Sequence, residues 1–458
     1  MKKSILRKML LVVSMMLAVS MMLTACVQTG GSSGDNDGTT AAPTTAAPTT
    51  AKADPTPVPI DMKGREFRIV AKWNEAPSLG VSAYSDLRYN QDRMIEEKFN
   101  CKVTYVRVPN AEYLNTFITS MLANDPKGEL WFMDSPQAMP LASKSYLLPL
   151  SDYIDMEQEK WDPNIVKLSS YNNKVYGVSD TRGNPEGCFF FNKKMLEDEG
   201  LPNIYDLQDA DEWTWEKMRE IAIATTKDFD GDGVYDQFGL SNVNYLHMIN
   251  ANGASILTYN PDGMDIIGFN NQNTYDTIDF MRDLIHVDKV VLPYPEGSKW
   301  DYPMQQFMDG KTAMYFGQYS QRTEIIKKLG TDFGGVLVPK GPNGENISYT
   351  IKQPMRVIPA SVKDPENICA VTDALLTKLS DEILESLMAA DCPDQRFLDN
   401  IFVSMKNLAY NPTTAYSNVP TQVEKAVNEA IAGTKSTRAA MEEIVPSVNE
   451  IIRSVYEQ

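Results

Sequence analysis

From Glu66 to Ala71 polar and apolar residues first alternate and then turn apolar before the chain reaches Trp73-Asn74-Glu75, which predicts a first strand with its carboxyl end at those three residues. From Asn90 to Phe99 the apolar positions recur every three to four residues, the spacing of one buried helix face. Cys101 to Val108, rich in Val and Tyr, reads as a second strand, Tyr113 to Asn124 as a second helix, and Leu130-Trp131-Phe132-Met133 as a short buried strand closed by Asp134-Ser135-Pro136. Strand, helix, strand, helix, strand is the order of a parallel sheet with crossover helices. Ligands gather at the carboxyl ends of such strands, here Trp73-Asn74-Glu75 and Asp134-Ser135. Trp131, inside an apolar run, reads as core.

The N-terminal pattern differs. Lys2, Lys3, Arg7 and Lys8 precede an apolar stretch from Met9 to Leu23, followed by Leu23-Thr24-Ala25-Cys26, the order of an export signal. The apolar run is shorter than the roughly 20 residues that cross a bilayer. Leu23-Thr24-Ala25-Cys26 resembles the lipobox of bacterial lipoproteins, which implies cleavage before Cys26, acylation of its sulfur and a membrane anchor. Val27 to Pro59 is Gly, Ser, Thr, Ala and Pro with almost no large apolar side chain, the composition of a spacer that forms no core. The expected division is thus 1–25 signal peptide and 26–60 lipidated linker, leaving about 400 residues, enough for two domains.

Composition narrows the function. With 61 Asp plus Glu against 43 Lys plus Arg, the formal charge is -18, which argues against nucleic acid as a partner. Beyond Cys26, the cysteines Cys101, Cys188, Cys369 and Cys392 form no C-x-x-C pair, and His247 and His286 are the only histidines. A zinc site of the usual kind is therefore not expected, and the cysteines read as buried apolar residues. No Gly-x-Ser-x-Gly elbow, His-Glu-x-x-His helix, phosphate loop or nucleotide fingerprint occurs.

Later blocks carry a family resemblance. Lys174-Val175-Tyr176-Gly177-Val178, the aromatic strand Cys188-Phe189-Phe190-Phe191-Asn192-Lys193, a helix closing at Glu199-Gly200-Leu201, and Trp213-Thr214-Trp215-Glu216 opening another helix follow one another. Phe307-Met308-Asp309-Gly310-Lys311-Thr312-Ala313-Met314 and Ala360 to Asn367 come after them. This succession is similar to family 1 extracellular solute-binding proteins, relatives of maltose-binding protein. The resemblance implies an α/β, two-lobe periplasmic-binding-protein-like fold with the ligand in a cleft between lobes. It implies a first lobe of 61–183 plus 340–390 and a second of 184–339 plus 391–458. It also implies capture of a carbohydrate, an oligosaccharide above all, and delivery to the permease subunits of an ABC transporter, by a monomer that is not an enzyme.

Sugars need aromatic platforms beside paired hydrogen-bonding groups. Trp73, Asn74, Glu75, Asp134 and Ser135 meet that demand at strand ends, and the resemblance adds Tyr319 as a stacking ring. Asp180 and Arg182 lie at the expected first crossing between lobes, and Trp300 and Tyr302 in a loop before the Gly-Lys block. Trp213 and Trp215 read as packing residues. A cluster of cations in the cleft would favour an anionic solute, and Arg182 and Arg356 are the residues placed to suggest one.

A second constellation points to calcium. Asp228, Asp230, Asp232 and Asp236 occupy the first, third, fifth and ninth positions of a loop with Gly233 at the sixth and the Val234 carbonyl at the seventh. That is the opening of a calcium loop, and like charges so close favour a cation. The twelfth position is Gly239 instead of a bidentate glutamate, so Gln237 or Asp236 would complete the shell. A structural Ca2+ away from the cleft is the expectation. Two rival functions remain open at this stage, a lipid-anchored glycoside hydrolase built on paired carboxylates, and a sensory or adhesion lipoprotein that binds a non-sugar solute without importing it.

Overall fold

The computed structural model describes residues 60–458 apart from 181–186, 261–264, 346–347, 351–353, 407, 411–412, 414–415, 417 and 457–458. The expectations for Cys26, the signal peptide and the linker therefore lie outside the described residues, as does Arg182.

The first half runs β1 (Arg65–Ala71), α1 (Ala83–Phe99), β2 (Cys101–Arg107), α2 (Asn110–Leu122), β3 (Leu130–Asp134) and α3 (Ser135–Ser143). Helix α1 begins a full two turns before its apolar periodicity is legible, because Ser82 caps it by accepting the Ser85 backbone N–H. It stops at Asn100, whose φ of 48° is the left-handed conformation that ends helices. β1 pairs in parallel with both β2 and β3. Alternation sends Phe67, Ile69, Val103 and Leu130 into one core and Val70, Trp131 and Met133 into another on the opposite face.

The second half is built on β4 (Cys188–Asn192), α4 (Trp215–Thr225), β5 (Phe238–Leu240), α5 (Tyr245–Ala251), α6 (Gln272–His286), α7 (Tyr302–Met308), β6 (Thr312–Gly317) and β7 (Phe333–Val336). Its sheet has the order β7-β4-β6-β5, with β6 parallel to β5 and antiparallel to β4. Phe189, Phe190 and Phe191 are buried in its core with Trp213 and Trp215, so the latter two are packing residues.

β8 (Pro354–Val357) then returns to the first sheet, antiparallel to β3, and α8 (Pro365–Leu375) packs beside α1. The chain ends in α9 (Gln395–Lys406), α10 (Val419–Ile431) and α11 (Thr437–Tyr456), the last two forming a separate core with α6. Among the described residues the chain passes from one lobe to the other three times, after Asp180 and before Gly187, after Thr350 and before Pro354, and between Leu376 and Met388. The return expected at 340 falls later because residues 340–350 remain tied to the second lobe. The Lys340 amide donates to the Trp213 carbonyl, the Gly341 amide to Ala251, and Ser348–Thr350 pairs with Leu408–Tyr410. Cys101, Cys188, Cys369 and Cys392 are all free and buried. Among the described residues no helix is long and apolar enough to cross a membrane.

Candidate functional site

At the carboxyl end of the first sheet, Trp73 stands two residues beyond β1. Its indole meets the Phe132 ring edge-on, 4.8 Å between centroids, yet remains 44% exposed. Asn74 beside it is exposed and Glu75 half-buried. Trp73 and Asn74 thus face solvent, and Glu75 does so in part. At the end of β3 the Asp134 carboxylate accepts a 2.9 Å bond from Lys72 Nζ, which also donates to Gln137 at 2.8 Å. Ser135 departs from expectation. The first turn of α3 folds its side chain inward, and at 2% exposure it has no face to offer a ligand.

Asp180 is likewise committed within the lobe. Its carboxylate meets Arg88 Nη1 of α1 at 3.0 Å, with both side chains largely buried. Burial disfavours the Arg88 charge, but the Asp180 carboxylate together with Tyr84 and Tyr105 outweighs it, so the guanidinium pKa lies above its ordinary value. The pair clamps the first crossing to α1 and leaves Asp180 as a positioning group. On the neighbouring crossing strand, Arg356 exchanges backbone bonds with Val178 and lays its guanidinium 4.2 Å from the Phe132 ring centre.

β5 and β6 end at Leu240 and Gly317, and Val291 pairs in parallel beside Leu240. The segment leaving Val291 carries Tyr294, exposed, and Trp300, 79% exposed. Tyr294 packs edge-on against Tyr302 at 5.5 Å and donates to the Lys299 carbonyl, which fixes the loop that presents Trp300. Tyr319 does not join them. It is 3% exposed, its hydroxyl is 2.9 Å from Ser404 Oγ and its ring abuts Phe397, so it belongs to the core. The short 3-10 turn that starts at Tyr319 swings the ring under α9 instead of out past the strand.

Two further residues were not among those expected from the sequence, one in each lobe. Phe132 shares the face of Leu130 and not that of Trp131, and alternation along the strand could have singled it out. His247 of α5 lies 4.7 Å from the Phe316 ring and fills the space beside Gly187, where an added Cβ would come within 2.4 Å of His247 Nδ1. Complete burial pushes the His247 pKa down to about 3.

The acidic loop lies between α4 and β5. Oxygens of Asp228, Asp230 and Asp236 approach within 4.8 Å of one another. The two Asp228 oxygens accept the Gly231 and Gly233 amides at 2.7 and 2.9 Å, and these bonds hold its pKa below the usual carboxylate value. Gly231 and Gly233 have φ of 78° and 88°, which only glycine adopts without cost. Three carboxylates therefore fit a hard cation. Asp232 stands outside that group, one of its oxygens accepting the Val234 amide at 2.8 Å. Gln237 also departs from expectation, because its side chain is buried and donates to the Thr225 carbonyl at 2.7 Å.

The model of the family described as bacterial extracellular solute-binding protein matches residues 84–378, most of both lobes. The chain belongs to this family. Its members are binding proteins, and a solved structure similar to this chain is the cyclic alpha-maltosyl-1,6-maltose binding protein of Arthrobacter globiformis, with a TM-score of 0.65 at 15% identity over 85% of this chain and 99% of that one. The GacH receptor of Streptomyces glaucescens, solved unliganded and with acarbose, gives 0.63 at 15% identity over 85% and 99%. These likenesses establish the two-lobe fold. In sequence the chain is 23% identical to the Lipoprotein LipO of Bacillus subtilis (strain 168) over 341 residues, 69% of this chain and 62% of that protein.

Proposed function

We propose that this protein is a lipid-anchored receptor that captures an oligosaccharide in the cleft between its lobes and hands it to the permease of an ABC transporter. The observation that carries the reading is the pair of exposed tryptophans, Trp73 and Trp300, at the carboxyl ends of two sheets joined by three crossings. An indole stacks on the apolar face of a sugar ring, and the adjacent Asn74 and Glu75 supply hydrogen-bonding partners for its hydroxyls. Hinge bending at the crossings closes the lobes on the solute. Solved proteins of this fold bound to maltotriose and to cycloalternan support the saccharide class. The Leu23-Thr24-Ala25-Cys26 segment and the likeness to a lipoprotein support anchoring through Cys26.

A thermal-shift screen of the mature domain against mono- and oligosaccharides tests this. A ligand that binds the folded state alone stabilises by about 2.7 kcal/mol at a hundredfold excess over Kd. Stabilisation by a saccharide is the expected result, and turnover of that saccharide would point to a hydrolase instead.

We further read the loop of Asp228, Asp230 and Asp236 as a structural calcium site, the Asp232 side chain and the Val234 carbonyl being further oxygens of the same loop. The ion would tie the end of α4 to the start of β5 and take no part in solute binding. Calcium should raise the melting temperature of chelator-treated protein, and Asp228→Ala should abolish that rise without changing saccharide affinity; an unchanged melting temperature in calcium contradicts the assignment.

A further inference from the structure

Among the described residues Arg356 is a largely buried cation with no ion pair. It sits on a crossing strand with 7% of its surface exposed, and its one described side-chain contact is the Phe132 ring, 4.2 Å from the guanidinium carbon. Among the described residues no carboxylate lies within 4.0 Å of it and no acceptor receives a hydrogen bond from its side chain. The neighbouring charges are already matched, Lys72 by Asp134 and Arg88 by Asp180, while Glu75 is the nearby acid without such a pair. A guanidinium carries five N–H donors and stays ionised at any working pH; those of Arg356 meet no protein acceptor among the described residues and still touch solvent, so an arriving oxyanion can take them.

The surroundings show where that molecule would come from. Arg356 stands opposite Phe132 in the β8–β3 register, and the Phe132 ring is shared with Trp73, which opens to solvent at the carboxyl end of β1. Cation, phenyl ring and indole thus touch in sequence, Arg356 on Phe132 and Phe132 on Trp73. We propose that the solute is acidic and that Arg356 receives its oxyanion, a carboxylate or a phosphate ester, in a two-pronged hydrogen bond while Trp73 covers an adjoining sugar ring. This rests on the saccharide reading above and narrows it. The overall charge of -18 repels anions at long range, so selection of an acidic solute falls to this local cation.

The test is isothermal titration of the mature domain with three probes: a neutral malto-oligosaccharide, a uronic-acid oligosaccharide of equal length, and a sugar phosphate. Binding of one acidic probe in preference to the neutral one is expected, and the probe that binds tells carboxylate from phosphate. Arg356→Met, which keeps the apolar contact with Phe132, should weaken that binding roughly 10- to 100-fold, and Arg356→Lys should restore part of it. Binding of the neutral probe as tightly as the acidic ones overturns the proposal and leaves the saccharide reading standing; binding of none overturns both. The ligand-free proteins give an independent readout. Removing a cation with no ion pair should leave the melting temperature of Arg356→Met unchanged or raised, whereas a lowered value, or a variant that does not fold, assigns Arg356 to the architecture and overturns the proposal.

Discussion

At the scale of single residues, exposure separates the groups that can meet a solute from those that hold the fold. Trp73 and Tyr319 are both aromatic and both follow strands, but one is 44% and the other 3% exposed. Trp73→Ala should weaken saccharide binding by about 1–2 kcal/mol with little change in melting temperature. Tyr319→Phe should do the reverse, costing about 1 kcal/mol of stability through the lost bond to Ser404 while affinity stays put. Titration calorimetry and thermal melts of the two variants check this contrast. Sequence located both rings at strand ends, since alternation and a family block mark where a strand stops. It could not say which way each ring turns, because for Tyr319 that depends on the bond to Ser404, 85 residues away in the chain. His247 yields a pH prediction on the same scale. Its folded pKa of about 3 lies below the ordinary 6.5, so the unfolded chain takes up the proton first. The neutral imidazole's contribution is complete above pH 6.5 and drains away as pH falls toward 3. Denaturant melts across that window should show His247→Gln less steep by up to about 1.4 kcal/mol per pH unit than the parent.

At the scale of elements, the first lobe was the most legible part, because its strands alternate and its helices keep a three-to-four spacing over whole turns. Boundaries were less so. The start of α1 is set by one hydrogen bond from the Ser82 cap, which periodicity does not register. The second crossing was read too early since nothing in residues 340–350 advertises their bonds to Trp213 and Ala251. The acidic loop was legible as a group of carboxylates, but Gln237 was not, for its partner is a carbonyl at the end of the preceding helix. Just beyond that loop, Gly239 lets β5 approach α4 so closely that a Cβ would lie 2.3 Å from the Ala222 backbone. Gly239→Ala must therefore push strand and helix apart, and urea unfolding should report a loss of about 1–3 kcal/mol or more.

For the molecule as a whole, the division of labour follows from where the chain crosses. In the proposed function the connections between the lobes act as the hinge while each core stays packed, and the Arg88–Asp180 pair fastens the chain entering one of them to α1. A ligand that touches both lobes stabilises their closed arrangement in proportion to its preference for it. Trp73 and Trp300, one on each lobe, are the natural reporters of that event. The most direct measurement is a titration of the mature domain with the saccharide selected by thermal shift, followed by tryptophan fluorescence in the parent, Trp73→Ala and Trp300→Ala proteins. Saturable binding at one site, weakened in both variants, is what two lobes gripping one solute predict. Binding of parental strength in both variants would contradict it.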